Sequence, residues 1–162
     1  MDRTSVPPRP RLPEELVAST VFLLKRLGFA AKEDAAEAYE QVGLHPYHHA
    51  VLAVLDEGAP DTQGAIADAL GYDRGQLVGL LDELEERHLI ERRRDPADRR
   101  RHTVHLTPNG KRALTKLRTI ARRVEDEFLA TLEPAERAQL HQLLLALAGA
   151  HLPHCPGRGA PT

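Results

Sequence analysis

The stretch RHLIERRRDPADRRRHTVHLTPNG, residues 87–110, decides the fold because it has the pattern of two short strands joined by a tight turn. The turn is DPAD, residues 95–98, where Pro96 ends the first strand since it has no N–H to donate to a strand ladder. Beyond it, the side chains of residues 102–106 alternate with the period of two that is typical of a half-buried strand. The sequence therefore predicts an antiparallel β-hairpin at this point.

Arginine surrounds the tip of this hairpin, since residues 92–94 and 99–101 are all arginine. Six guanidinium groups on one exposed hairpin repel one another, and a polyanion would neutralise them. A narrow DNA minor groove attracts arginine in this way. The alternative is a charged hairpin that is merely solvated.

Charge is concentrated locally in a chain whose total is nearly balanced. The 162 residues are expected to form one domain, and their net charge of −2 is not typical of a nucleic-acid-binding protein. Residues 91–101 nevertheless carry six Arg against three acids, and residues 107–124 carry six Lys or Arg and no acid. DNA affinity depends on the patch that faces the phosphates, so the total does not exclude DNA binding.

Cysteine usage and hydropathy predict a cytoplasmic protein with no membrane segment. The single cysteine, Cys155, excludes an internal disulfide and fits a reducing compartment. No signal-peptide core is visible, and no apolar run approaches the ~18 residues of a membrane span. Two Pro-containing ends, a basic arm at residues 1–13 and a tail at residues 151–162, are predicted to be disordered.

Helical periodicity dominates the chain before the hairpin. Residues 14–28 carry a broad apolar stripe, and Gly28 is expected to end this first helix. Residues 31–41 are predicted to form a separate, polar and Ala-rich helix. A third helix is expected to begin at Pro46 and to end at Gly58.

A helix-turn-helix is predicted immediately before the hairpin. Thr62 is expected to cap a short helix over residues 63–70, and Asp73 to cap a second one over residues 74–87 through the Gln76 N–H. A Gly-containing turn separates the two helices. Because the hairpin follows at once, the whole unit, about residues 44–107, is predicted to be a winged helix.

Two further helices follow the hairpin. One begins at Thr107 and Pro108 and runs to about residue 129, and the last begins at Pro134. These helices and residues 14–29 have more apolar surface than a small winged helix can cover, which favours a homodimer over helices that fold back on a monomer. The predicted fold is therefore mainly α with a small β-hairpin wing, a winged helix-turn-helix flanked by N-terminal (about 14–29) and C-terminal (about 108–150) dimerisation helices.

The segment QGAIADALGYDRGQLVGLLDELEERHLIERRRDPADRRRHTVHLTPNGK, residues 63–111, resembles the MarR family of bacterial transcriptional regulators. The strongest element is DPADRR followed by a strand and LTPNGK, and the resemblance extends over residues 14–150. It implies a D-x-R element in which Asp98 pairs with Arg100 and orients it, so that the wing arginine enters the minor groove. It also implies a homodimer, a palindromic operator and double-stranded DNA as the partner.

The second helix of the helix-turn-helix departs from the family pattern of hydroxyl and basic residues. Gly75 and Gly79 point outward on its helical wheel, and the acidic side chains at residues 82, 83 and 86 are expected to face outward and to be repelled by phosphates. We therefore expect only the N-terminal half to enter the major groove, where the glycines permit close approach of the backbone. The alternative is that each glycine only weakens the helix, by ~1 kcal/mol relative to Ala.

Within that half, Gln76 is suited to pair with adenine and Val78 to pack on a thymine methyl group, while Arg74 reaches a phosphate or a guanine. The full set of predicted DNA-contacting residues is drawn from the helix-turn-helix and the wing: Thr62, Gln63, Asp73, Arg74, Gly75, Gln76, Val78, Gly79, Arg94, Asp98, Arg99, Arg100 and Arg101.

Histidines cluster twice, at residues 45–49 and near Cys155 with His151 and His154. Neither cluster has the paired spacing of a zinc site, so neither a metal nor a cofactor is predicted. The family resemblance instead implies a crevice for a small aromatic or anionic effector. The residues expected to line it are Phe22, Phe29, Tyr39, His45, Tyr47, His48 and Arg118.

The leading functional prediction is a homodimeric repressor of transcription that a small ligand releases from DNA. Two alternatives are a winged-helix module that binds a protein and a thiol-based redox regulator that uses Cys155. An enzyme is not expected, because the sequence contains no Gly-rich phosphate loop, nucleophile elbow or Ser/His/Asp set at a known spacing.

Overall fold

The computed structural model describes residues 11–58, 62–95, 98, 102–153 and 155. It confirms a mainly helical chain with one two-stranded antiparallel hairpin, and the residue contacts divide it within the second helix into two units, Met1–Asp34 and Ala35–Thr162. In chain order the elements are α1 (Glu14–Val17), α2 (Thr20–Glu40), α3 (Pro46–Asp56), α4 (Gln63–Leu70), α5 (Arg74–Glu86), β1 (Ile90–Arg94), β2 (His102–Leu106), α6 (Pro108–Phe128) and α7 (Pro134–His151).

Helix α2 corrects the predicted boundaries near the N-terminus. Gly28 lies inside α2 and does not end a helix, and residues 31–41 are not a separate helix. A glycine within a helix costs only ~1 kcal/mol, which a 21-residue helix tolerates, and Gly28 does not adopt the left-handed conformation of a helix end. The break comes earlier, after α1, where the Ser19 hydroxyl accepts a hydrogen bond from the Phe22 N–H at 3.2 Å.

Three of the other predicted helix starts are confirmed by their caps. The Thr62 hydroxyl accepts from the Ala65 N–H at 3.4 Å, and the Thr107 hydroxyl accepts from the Gly110 N–H at 3.0 Å. The Asp73 carboxylate accepts from the Gly75 and Gln76 N–H groups at 2.8 and 3.2 Å. Each cap satisfies backbone donors that have no partner within the helix, and so fixes where that helix begins.

An aliphatic core holds the second unit together. As the heptad-like spacing predicts, α5 buries one leucine face, and the opposite face remains exposed. Gly71, with φ of +64°, makes the turn between α4 and α5. The largest fully buried side chains are Leu52, Ile66, Leu77, Leu81, Leu84, Ile90, Leu114, Leu117, Val51 and Val104.

The hairpin is in the register that places Ile90 opposite Leu106 and Arg94 opposite His102. An isolated bridge between Thr62 and Thr103 joins β2 to the start of α4. Residues 96, 97 and 99–101 of the predicted tip lie outside the described residues.

The start of α6 lies directly against the backbone that leads into β1. The Thr107 N–H donates to the Leu89 carbonyl at 3.1 Å, and the Thr107 hydroxyl is 2.8 Å from the His88 carbonyl. A Cβ placed on Gly110 would lie only 2.0 Å from the Leu89 carbonyl oxygen. Glycine is therefore required where α6 crosses this strand.

Helix α7 buries none of its own residues, and it exposes Leu143, Leu144 and Leu147. In the first unit, Val21, Leu27 and Phe29 of α2 are also exposed. Within the described part of the chain, no helix combines the length and the apolar character needed to cross a membrane.

Candidate nucleic-acid interface

The N-terminal half of α5 presents a continuous exposed surface. The predicted contact residues Asp73 to Gln76, Val78 and Gly79 are all exposed, while Leu77 between them faces the core. Val78 is unusual among them, because a branched apolar side chain is 42% exposed there. Thr62 and Gln63 lie at the start of α4 and are partly buried.

The C-terminal half of α5 is attached to the wing by Arg92 of β1. The Arg92 N–H donates to Glu85 Oε1 at 3.0 Å, and its guanidinium contacts the Asp82 carboxylate and lies 3.6 Å from Glu85 Oε2. The Arg92 side chain is only 21% exposed. This arrangement connects the hairpin to α5 at two successive turns of that helix.

The same contacts correct two sequence-based expectations. The acids at residues 82, 83 and 86 are exposed as expected, but the charge of Asp82 is compensated by its pairing with Arg92. Likewise, not all six hairpin arginines depend on a polyanion, because Arg92 is paired in this way and Arg93 is paired with Glu91. Sequence spacing alone did not reveal these pairs, since Arg92 and Asp82 are joined only once the strand packs beside the helix.

The wing residues that were predicted to contact DNA are only partly described. Arg94 ends β1 and is exposed, and Asp98 is exposed at the tip. Arg99, Arg100 and Arg101 lie outside the described residues, so the Asp98–Arg100 pair remains a prediction.

A second junction links α3 to α5. His48 is 4% exposed, and its Nε2 lies 2.9 Å from Glu83 Oε2. Its Nδ1 accepts the His45 N–H at 3.1 Å, while His45 Nδ1 accepts the Tyr47 N–H at 3.2 Å. The pair of histidines thus forms a reciprocal cap at the start of α3.

The predicted effector-crevice residues of the second unit include two separate groups. One is an aromatic cluster in which the ring of Tyr47 lies 4.7 Å from that of His45 and 5.3 Å from that of Tyr72. The other centres on Tyr39, whose hydroxyl is 2.6 Å from His49 Nδ1. Phe22 and Phe29 belong to the first unit.

The Tyr39 group contains one residue that the predicted crevice omitted, His49. Burial raises the pKa of the Tyr39 phenol, and burial followed by the nearby Arg118 charge lowers the pKa of His49. Arg118 itself is paired with Asp56 at 2.9 Å. No sequence signal pointed to His49, because His45, four residues earlier, is the extended cap residue that precedes α3 and does not share a helix face with it.

A basic cleft of about 490 Å³ lies between the first three turns of α6, the residues that follow α5 and the segment that joins α2 to α3. The described side chains that line it include three cations, Arg87, Arg112 and Lys116, and no carboxylate. Its apolar lining comes from Val42, Leu44, Leu89, Ala113 and Leu117. A second cleft of about 400 Å³ between α6 and α7 contains both charge signs.

The C-terminal group of histidines and Cys155 is only partly described. His151 ends α7, the Cys155 N–H donates to the Leu152 carbonyl at 3.0 Å, and His154 lies outside the described residues. Among the described side chains, no three of His, Cys, Asp or Glu are grouped to hold a metal ion.

A short helix, a glycine turn, a second helix with an exposed polar half and a basic antiparallel hairpin define a winged helix-turn-helix. A family model described as the MarR family matches residues 42–101. A protein proposed to regulate transcription of the hcr operon in Thauera aromatica is 34% identical over 129 residues, which is 75% of this chain and 78% of that protein.

Solved structures agree with this relationship. The repressor CouR bound to a 23-mer DNA duplex is 34% identical with a TM-score of 0.77, over 86% of this chain and 99% of that one. CouR from Rhodococcus jostii RHA1 bound to p-coumaroyl-CoA is 30% identical with a TM-score of 0.69, over 82% and 94% of the two chains. The chain belongs to the MarR family and is a DNA-binding regulator of transcription.

Proposed function

We propose that the protein is a homodimeric repressor that binds a palindromic operator and is released by a small anionic, aromatic effector. The observation that carries the proposal is the exposed N-terminal half of α5, which presents Arg74, Gln76 and Val78 while the acids behind them are held by Arg92 and His48. The relative CouR, a repressor bound to a DNA duplex, supports the same use of the fold.

In the proposed complex, α5 and the wing contact different grooves of the DNA. The first two turns of α5 enter the major groove, where Gln76 pairs with adenine and Val78 packs on a thymine methyl group. The wing inserts Arg100, oriented by Asp98, into the adjacent minor groove. Thr62 and Gln63 at the start of α4, together with Arg94, Arg99 and Arg101 of the wing, contact the phosphates.

Dimerisation is supported by the apolar side chains that each unit leaves exposed. Helix α7 exposes three leucines, and α2 exposes Val21, Leu27 and Phe29. Such surfaces on a monomer mark sites of association. A two-fold dimer would present two copies of α5 to two half-sites, which accounts for a palindromic operator.

Arg100→Ala is expected to weaken operator binding and to reduce the slope of log affinity against log salt by about one unit, since each neutralised phosphate releases counterions. The operator is first located by footprinting on the intergenic DNA beside the gene. Fluorescence anisotropy at several salt concentrations then gives the slope. Arg123→Ala, an exposed arginine of α6 paired with Glu127, is the matched control.

An unchanged slope in Arg100→Ala would contradict minor-groove insertion of this arginine. A slope near zero for the wild-type protein would instead favour the alternative of a winged-helix module that binds a protein, because a protein interface does not release phosphate counterions.

Two places in the second unit carry positive charge: the surroundings of Arg118 and the basic cleft. Of the two, the basic cleft is better supported as the effector site. Arg118, beside Tyr39 and His49, is already paired with Asp56, whereas the cleft offers three cations with no carboxylate in its described lining. Its apolar lining suits the ring of an aromatic acid, and its cations suit a carboxylate or phosphate. The CouR structure with p-coumaroyl-CoA shows that a relative binds an anionic aromatic thioester.

We expect p-coumaroyl-CoA to release the protein from its operator, and Arg112→Ala to raise the concentration needed at least tenfold. The loss of one charge-assisted contact costs about 1.5–3 kcal/mol, which corresponds to that factor. Release is measured by anisotropy, with free coenzyme A as the ligand control. Arg118→Ala is the matched variant; if it abolishes release and Arg112→Ala does not, the effector binds beside Tyr39 and not in the cleft.

A further inference from the structure

Arg92, the central residue of β1, contacts α5 through both its main chain and its side chain. Its backbone N–H donates to Glu85 Oε1 at 3.0 Å, its guanidinium contacts the Asp82 carboxylate, and its Nη1 lies 3.6 Å from Glu85 Oε2. Two carboxylates one turn apart fix the direction of the guanidinium, because its planar donors must face both acceptors. These contacts therefore hold the strand at a defined place beside the helix.

The two acids are themselves placed by the core. Asp82 and Glu85 each follow a leucine of α5, Leu81 or Leu84, that is fully buried. About one to two turns earlier, the same helix presents the exposed residues that are proposed to enter the major groove. Arg92 therefore relates the position of the wing directly to the helix that is proposed to contact the bases.

Arg92 lies at the boundary between the supported base of the wing and its exposed outer part. On β1, Ile90 is buried, whereas the two residues after Arg92 are exposed. On the opposite edge of the hairpin, the bridge between Thr103 and Thr62 attaches β2 to the cap of α4. A two-stranded ribbon has marginal stability of its own, so its orientation depends on the attachments at both edges. Loss of the Arg92 contacts would leave one edge attached and let the outer part of the wing tilt away from α5.

We infer that Arg92 is a positioning residue for DNA binding: through Asp82 and Glu85 it holds the wing at the angle to α5 at which both elements engage one operator half-site. The inference rests on the proposed function, in which α5 enters the major groove and the wing enters the adjacent minor groove. Two contacts that are held in register bind more tightly than two that move independently, because less freedom is lost on binding. Arg92 contributes to operator affinity in this way without contacting DNA.

The sign of the effect separates positioning from simple electrostatics. Asp82 is an exposed acid on the proposed DNA-binding helix, so removal of its charge alone would strengthen binding to the phosphates. An Arg92 that contacted a phosphate directly would also be freed by the loss of Asp82, and binding would again become tighter. Positioning predicts the opposite result, since an α5 without Asp82 holds the wing less firmly.

The decisive variant is Asp82→Ala in the full chain. We expect it to bind the operator about fivefold more weakly than wild type, because the affinity lost cannot exceed what a partly exposed ion pair contributes to holding the wing. Affinity for a scrambled duplex should stay constant or rise, since that binding depends on charge and not on the angle between wing and helix. Alanine favours helix, so α5 should remain folded, and thermal melts verify this.

Glu86→Ala is the matched control for the change in charge. Glu86 is an exposed acid of the same helix and forms no ion pair with the described part of the wing. Its replacement should leave operator affinity unchanged or raise it. Asp82→Glu is the conservative variant; it keeps the carboxylate within reach of Arg92 and should bind the operator nearly as tightly as wild type.

A double-mutant cycle tests whether Asp82 acts through Arg92. Arg92→Ala should bind the operator at least as weakly as Asp82→Ala, because it also loses the side-chain contact with Glu85. When Arg92 is already alanine, the further change Asp82→Ala should cause no additional loss. Such non-additivity is expected only of residues that act through one shared contact.

Anisotropy with the footprinted operator and with the scrambled duplex gives all of these affinities. Operator binding by Asp82→Ala that is as tight as wild type or tighter overturns the inference. So do an equal loss in Asp82→Glu, additive losses in the double variant, or a loss that is the same for operator and scrambled DNA. If the wild-type protein binds no operator, the proposed function fails first and the inference fails with it.

Discussion

Gly110→Ala is expected to destabilise the protein by about 3 kcal/mol or more, since overpacking against a fixed backbone costs at least the upper part of the usual 1–3 kcal/mol range. The added Cβ would lie 2.0 Å from the Leu89 carbonyl oxygen and 2.7 Å from a methyl group of Leu106. The leucine side chain can move, but the carbonyl is held by the Thr107 N–H. Thermal unfolding should show a melting temperature lower by about 6–12 °C.

Gly64→Ala is the matched control for this effect. Gly64 lies in helix α4, and no atom lies within 4 Å of the Cβ that the substitution adds. Alanine is the better helix former, so this variant should melt at the wild-type temperature or above it. Equal melting temperatures for Gly110→Ala and Gly64→Ala would contradict the close crossing of α6 over the strand.

Gly79→Ala is expected to change stability and DNA binding in opposite directions. Gly79 is within α5, exposed, and has nothing within 4 Å of an added Cβ, so alanine should stabilise the free protein by up to about 1 kcal/mol. In the proposed complex the same methyl group stands between the helix and the base edges. Operator affinity should therefore fall tenfold or more while affinity for a scrambled duplex stays constant.

The opposite signs make the result decisive, because a variant that is merely unfolded would lose both properties. Gly75 is less suitable for this test, since its added Cβ would lie 3.0 Å from the Asp73 carboxylate that caps α5. If Gly79→Ala is more stable and binds the operator as tightly as wild type, the glycine only weakens the helix, and close approach to DNA is not its role.

Local signals were sufficient to predict most of the fold. Thr62, Asp73 and Thr107 each precede a helix, and each caps it in the structure as expected. Such predictions succeed because a cap joins residues only two or three apart, and because the buried leucines of α5 repeat with the helical period.

The failures have equally definite physical causes. Gly28 carries a weak preference against helix, and the surrounding residues outweigh it in α2. The contacts of Arg92 with Asp82 and Glu85, and of His48 with Glu83, join different elements, so no sequence periodicity reports them. The basic cleft was missed for the same reason, since its three cations come from α6 and from the residue that ends α5.

The division of α5 into an exposed first half and an anchored second half has a consequence for engineering altered operator preference. Randomised libraries can vary residues 74–76 and 78–79 with little effect on folding, since these side chains are exposed. Residues 82–85 should be kept together with Arg92 and His48, because they join the helix to its scaffold. A specificity graft from another regulator should therefore transplant two turns of helix, and not the whole of it.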